Sequence, residues 1–292
     1  MSRAARDLLA ASGPWTCVHG GAARTIPPLP ALADLLAWHV CHPSNHGDAR
    51  GATLLASHVG TVPWKRTQDP ALGTRLSLDL DACDEIYGHM ADHAAWLDAR
   101  RVVEAIDVQA TTLDAWAEQA GVRDVLLLSL SLEGGELDAL RGADGLLRTG
   151  RITVVRTAVA LRPVYHDQPV YADVDAWLAS RGYGLVDCRF PWDHPRRVDP
   201  AVAGGQPARW SIEGVATYAH GSLLAGEAGQ LPRAVAAAAV LAQAGYGSTA
   251  ATVLDRQAGW DRRQTDAWLV DWARPGRRER WRAWWRSRLA RR

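Results

Sequence analysis

The stretch "DVLLLSLSLEGGELDALRGA", residues 124–143, carries the fold. Its apolar run has the length of a strand, and the run is continuous enough to be buried on both faces of a sheet. Two glycines and two glutamates follow, then an apolar pattern of helical period, so the segment reads as strand, turn and helix. Such a turn, at the carboxyl end of a buried strand, faces the ligand edge of an open α/β sheet. The polar positions of the strand hold only serines, Ser129 and Ser131.

The same alternation extends in both directions. "WTCVHGG" (15–21) is a short apolar strand ending in two glycines, and "TIPPLP" breaks the chain before a helical run, "ALADLLA". "WHVCHP" (38–43) and "GATLLASHV" (51–59) read as strands. Residues 60–75, with Gly60, Pro63, Pro70 and Gly73, read as loop, and residues 80–99 as helix. "VVEAIDVQATTLDAWAEQAG" is a strand and a helix opening near Thr112 or Asp114 and closing at Gly121. "ITVVRTAVAL", "VYADVDAWLASRG" and "YGLVDCRF" give strand, helix, strand, and "RWSIEGVATYAH" a last strand. This predicts an α/β domain over residues 1–222 with a mostly parallel sheet covered by helices on both faces. Residues 229–292 are expected to form a helical extension: two alanine-rich helices around a glycine turn, then an arginine- and tryptophan-rich tail.

Composition narrows the function classes. The 292 residues are 48% hydrophobic and 22% charged, with 33 Lys+Arg against 32 Asp+Glu. A near-neutral chain has no global field to recruit nucleic acid or a membrane surface. Lys65 is the only lysine and reads as a codon-bias effect. The first thirty residues lack the charged start and long apolar core of a signal peptide, and no stretch approaches the length of a membrane span. Cys17, Cys41, Cys83 and Cys188 are scattered, as reduced thiols of a cytoplasmic protein would be.

Three segments resemble the FkbM family of class I methyltransferases: "VQATTLDAWAEQAGV" (108–122), "LSLSLEGGELDALRGADGLL" (128–147) and "VVRTAVALRPVYHDQPVYADVDAWLASRGYGLVD" (154–187). The resemblance implies a Rossmann-like sheet, S-adenosylmethionine (SAM) as cofactor, and methyl transfer to a small molecule, in the setting of bacterial specialised-metabolite biosynthesis. It also marks departures. Ser129 and Ser131 stand where the family has lysine and aspartate, and Ala158 where it has glutamate. His19 replaces an aspartate, and Cys41-His42 the acidic residue that would hold the ribose. The N-terminal, cofactor-binding half is short by about one strand. These departures count against SAM.

Family position makes His19, Gly20, Gly21 and Cys41 the candidate cofactor residues. Glu133, His42 and His46 are candidate bases, since histidine titrates near neutrality. Ser129, Ser131, Glu136, Tyr165, Asp167 and Gln168 are candidate substrate contacts. Glu133 and Glu136 would also be stabilised simply as first-turn residues of a helix. "WHVCHPSNH" (38–46) offers zinc donors, but Pro43 and the alternation of a strand keep them from converging, so no metal is expected. Two further functions stay open beside methyl transfer. One is a SAM-independent displacement or ring closure in the same crevice; the other is a non-catalytic partner subunit. A protein partner or a second copy would dock on the tail face carrying Trp281, Trp284, Trp285 and Leu289. Nucleic acid is the less favoured partner of that tail, and no membrane association is expected.

Overall fold

The computed structural model describes residues 9–11, 13–43, 53–88, 90, 92–190, 193–195, 209–225, 231–257 and 259–272. They form two compact units: residues 15–28 with 36–221, and residues 1–14 and 29–35 with 222–292.

The larger unit is mixed α/β. Its strands are β1 (Trp15–Gly21), β2 (Leu36–Cys41), β3 (Thr53–Leu55), β4 (Gly60–Thr67), β5 (Val102–Thr111), β6 (Val125–Ser131), β7 (Ile152–Ala160), β8 (Tyr183–Arg189), β9 (Asp193–Pro195), β10 (Arg209–Ser211) and β11 (Glu213–His220). Six build the main sheet in the order β2-β1-β6-β7-β11-β8. β2, β1, β6 and β7 are parallel neighbours. β11 runs antiparallel to both β7 and β8, so the sheet is mixed and one strand breaks the parallel pattern. The chain steps outward from β1 to β2 and returns on the other side of β1 with β6, which makes the β1/β6 boundary the switch point of the sheet.

Side-chain pattern explains the centre of the sheet. Every residue of β6 except Ser131 is buried, and β7 is buried at seven positions of nine, as expected for strands covered on both faces. The helices around them are α1 (Leu80–Tyr87), α2 (His93–Arg100), α3 (Leu113–Ala120), α4 (Glu136–Arg141), α5 (Asp144–Arg148) and α6 (Tyr171–Ala179). Thr112 caps α3, its Oγ1 accepting from Ala115 N at 3.0 Å, and Gly121 closes it at φ +67°. Asp114, the other candidate cap, serves a different helix. Its carboxylate accepts from Gly145 N at 2.8 Å and Leu146 N at 3.0 Å, at the start of α5.

Three expectations need correction. "ALADLLA" is not an α-helix: a 3-10 turn occupies Pro30–Leu32, and Leu36-Ala37 open β2. Residues 60–67 are not loop but β4, paired antiparallel with β5. Pro63 is tolerated because β4 is an edge strand of a separate sheet ordered β3-β5-β4, where a missing N–H breaks no ladder on the open side. β5 therefore leaves the main sheet, whose parallel part has one strand fewer on the β2 side than the doubly wound 3-2-1-4-5-6 order. The three-stranded sheet still shares the core: Leu54, Leu55, Val62, Trp64, Val108 and Ala110 cluster with residues of β1, β6 and β7. The helix expected over 80–99 is two helices, α1 and α2.

In the smaller unit, helices α7 (Leu231–Gln243), α8 (Gly247–Gln257) and α9 (Arg262–Trp272) follow one another. Ala234 to Leu241 are all buried in α7, where small side chains allow close helix contact, and Gly245 turns the chain at φ +94°. The tryptophan- and arginine-rich tail beyond residue 272 lies outside the described residues. Among those described, no helix is long and apolar enough to cross a membrane.

Replacing Asp114 with alanine strips the cap from α5 and leaves two N–H groups without their carboxylate. A loss of about 1–2 kcal/mol in urea denaturation is expected, with the m-value unchanged.

Candidate functional site

The turn after β6 is built by Glu136. From the first position of α4 its carboxylate folds back over the turn, Oε1 accepting from Leu132 N at 2.7 Å and Oε2 from Gly134 N at 3.0 Å. Burial pushes this carboxyl up to about 7, against the pull of the backbone N–H groups it accepts. Between those two anchors the chain adopts left-handed backbone twice in succession, at Glu133 (φ +50°) and Gly134 (φ +95°). Glycine is favoured at 134 by its positive φ, which strains any other residue, and a Cβ there would also push on Leu76 Cδ1 at 2.7 Å. A left-handed glutamate is strained, and the Thr74 hydroxyl, donating to the Glu133 carbonyl at 2.9 Å, helps hold it.

The reward of this geometry is the direction of the Glu133 side chain. Its Oε2 accepts the Tyr165 hydroxyl at 3.1 Å and faces Arg100 Nη2 at 3.4 Å. Burial raises the Glu133 carboxyl above its ordinary range, opposed by Arg100. Arg100 ends α2 and is itself buried. One helical turn back, Trp96 lies under its guanidinium at 4.0 Å, and Trp96 stacks on Tyr87 at 4.3 Å. Tyr165 comes from the loop after β7. Gln168 shapes that loop by accepting from Val164 N and Tyr165 N at 2.8 and 3.2 Å. Asp167 is an exposed left-handed turn residue at φ +59°.

Arg100 and Tyr165 open onto a cavity of about 420 Å³, within the range of small-molecule sites. Leu76, Leu78 and Leu97 supply apolar wall, and Lys65 stands beside them. The Lys65 ammonium donates to the carbonyls of Arg75 and Leu76 and to Ser77 Oγ, at 3.2, 2.9 and 2.8 Å. On sequence alone neither Arg100 nor Trp96 is a candidate, and Lys65 reads as a codon-bias effect. The available signals were a tryptophan four residues before an arginine on one helix face, and a single lysine in an arginine-rich chain.

At the other half of the sheet edge the glycines lie against the chain's own atoms. A Cβ at Gly20 would lie 2.9 Å from Leu130 Cδ2 and 3.2 Å from Leu55 Cδ1. At Gly21, with φ +147°, it would meet the Ser131 carbonyl at 2.7 Å and His19 Nε2 at 2.8 Å. His19 is fully buried, its Nε2 bonded to Thr25 Oγ1 at 2.8 Å and close to the Ala22 carbonyl at 3.2 Å. Thr25 Oγ1 itself donates to that carbonyl, so Nε2 carries the proton. Cys41 and His42 are buried at the end of β2, and His42 packs edge-on against Trp64. Burial lowers both His19 and His42 to about 4, so both are neutral at pH 7. Ser129 is also fully buried, and its Oγ has no partner among the described residues. Ser131 pairs in register with Gly21. His46 lies outside the described residues. No group of three His, Cys, Asp or Glu among the described residues could hold a metal.

Residues 73–185 match the family model described as the methyltransferase FkbM domain. Over those residues, less than half of its length, the chain is similar to FkbM methyltransferase domains. Comparison with curated proteins and with solved structures gave no match. The FkbM match spans Arg100, Glu133 and Tyr165 and begins only after β1, β2 and β4. The cofactor of such a domain is SAM, held over the ends of the first strands, and the residues present there do not fit it. The glycines face the chain's own side chains and carbonyl, and Cys41-His42 supply no charge at the position of the ribose-binding carboxylate.

Two measurements check this account. Glu136→Gln cannot accept from both backbone groups, and a loss of about 1–3 kcal/mol is expected in chemical denaturation. His19 and His42 each charge in the unfolded chain near pH 6.5 but in the folded one only near 4. Each histidine therefore contributes a loss of about 3 kcal/mol as the pH drops through that window. Glu136 opposes this, because its carboxyl takes up its proton near 7 in the folded chain and lower in the unfolded one. His19→Gln keeps an N–H donor in place of Nε2 and does not titrate, so the slope of stability against pH between 6.5 and 4 should become less positive than in the unaltered protein.

Proposed function

We propose that this FkbM domain acts on a small molecule bound in the cavity at the carboxyl ends of β6 and β7, and that it does so without SAM. One contrast carries the reading. At the β1/β6 boundary the glycines lie against His19, Leu130 and the Ser131 carbonyl, whereas the other side keeps a cavity with Arg100 and Tyr165 in its wall and Glu133 bonded to both.

The chemistry these groups support is alignment and proton removal. A bound molecule whose hydroxyl or amine approaches Tyr165 meets a hydroxyl already polarised toward Glu133 Oε2. Glu133, held by Arg100 and Tyr165, is the group that takes the proton. With nucleophile and leaving group on one molecule, the cavity walls supply orientation, which is the main requirement of an internal displacement or ring closure. The apolar walls keep water from competing. His42, neutral and buried beside Trp64, contributes packing in this scheme rather than a base.

Titration calorimetry of the full chain with SAM and with S-adenosylhomocysteine tests the proposal directly. No saturable heat and no thermal stabilisation are expected. One-to-one binding of either compound would return the domain to ordinary methyl transfer; at about 100-fold excess over Kd it would show as roughly 2.7 kcal/mol of added stability.

A further inference from the structure

The charged side chains on the cavity wall are already matched. An ammonium has three donors, and the carbonyls of Arg75 and Leu76 and the Ser77 hydroxyl take those of Lys65. Arg101 donates from Nε to Asp98 and from Nη2 to Gln68 Oε1, each at 3.0 Å. Arg100 lies with its guanidinium on the Trp96 ring, its Nε has no surface to offer a ligand, and Glu133 and Glu213 counter its charge. Two lining hydroxyls are committed as well, Thr74 donating to the Glu133 carbonyl and Tyr165 to its carboxylate. The aliphatic part of the wall is not matched in this way. Leu76, Leu78, Leu80, Leu97 and Val102 all line the cavity, and Leu80 and Val102 are 61% and 48% exposed. Those two stand where the cavity meets solvent. Leu80 opens α1, a position where the helix dipole favours an acid, so the helix itself gives no reason for leucine there.

A single exposed leucine is ordinary, but several aliphatic side chains around one hollow mark a surface that water leaves favourably. We infer that the cavity takes an uncharged small molecule with an apolar body, seated along Leu76, Leu78 and Leu97 and gripped at the mouth by Leu80 and Val102. This inference rests on the reading of the cavity as the ligand site; it names the class of ligand and the two mouth residues that select it. Of the handles that reading allows, a hydroxyl or an amine, it selects the hydroxyl. Tyr165 spends its proton on Glu133 Oε2 and keeps its own oxygen as an acceptor. An ammonium or a carboxylate would bring one more charge among groups whose charges are already met, at the cost of its own desolvation.

The test compares octan-1-ol, butan-1-ol, octanoate and octylammonium on the full chain by calorimetry and thermal shift. Octan-1-ol is expected to bind roughly 10-fold or more tightly than either charged probe. It should exceed butan-1-ol on the order of 100-fold, since each buried methylene adds about 3- to 4-fold. Leu80→Asp, a substitution that suits the first turn of a helix, should weaken octan-1-ol by about 10-fold. Val102→Thr, which keeps the shape and adds a hydroxyl, should weaken it by about 3-fold. Leu185→Asp, at an exposed leucine of β8 outside the cavity, should leave binding unchanged. Octanoate or octylammonium binding as tightly as octan-1-ol, and still weakened by Val102→Thr, overturns the inference and leaves the cavity reading standing. Octan-1-ol binding indifferent to Leu80→Asp, or no saturable binding of any probe, overturns both the inference and the cavity reading.

Discussion

The site depends on one carboxylate folding back on its own backbone. Glu136, by accepting from Leu132 N and Gly134 N, closes the turn between β6 and α4 around a left-handed Glu133. In ordinary extended or helical backbone, residue 133 would carry its side chain elsewhere. Held left-handed, it places a carboxylate where Arg100 and Tyr165 reach it from two separate segments. Tension in the backbone at one residue is thus converted into a junction of three elements, and the second small core beneath it (Cys83, Ile86, Tyr87, Met90, Trp96, Val164, Tyr165 and Ile212) packs around that junction.

The two halves of the sheet edge have had different fates. At the β1/β6 switch point a nucleotide site needs bare backbone and a counter-charge for the ribose. Here the bare backbone of Gly20 and Gly21 meets Leu130, Leu55, His19 and the Ser131 carbonyl. The glycines are still necessary, but for packing between strands. Buried neutral histidines hold the space in which a cofactor would need polar contact. At the β6/β7 end the opposite holds: apolar wall, a buried arginine and a polarised tyrosine surround open volume. The FkbM match follows the same division, covering the second half and not the first.

Much of the frame was legible in the sequence because local rules decided it. β6, β7 and β8 fell close to their apolar runs, and α3 ended at Gly121, whose left-handed backbone only glycine adopts freely. Readings failed where a neighbour outweighed local preference. Pro63 argued for loop, yet an edge position in a second sheet made its missing N–H harmless. "ALADLLA" had helical composition, yet Leu36 and Ala37 pair with Trp15 and Thr16 in β2. Glu133 and Glu136 looked alike as first-turn acids. The structure separates them into a cap for the turn and a partner for Arg100 and Tyr165.

By itself the sequence determined which segments are buried strands, where glycine must turn the chain, and which turn faces the sheet edge. These follow from side-chain periodicity and backbone sterics, which act over a few residues. Only the tertiary structure decided that Gly20 and Gly21 lie against the chain's own atoms and that Arg100, Glu133 and Tyr165 converge beside a cavity. Both outcomes depend on which distant side chains share a volume, and that is settled by the packing of whole elements rather than by the pattern within any one of them.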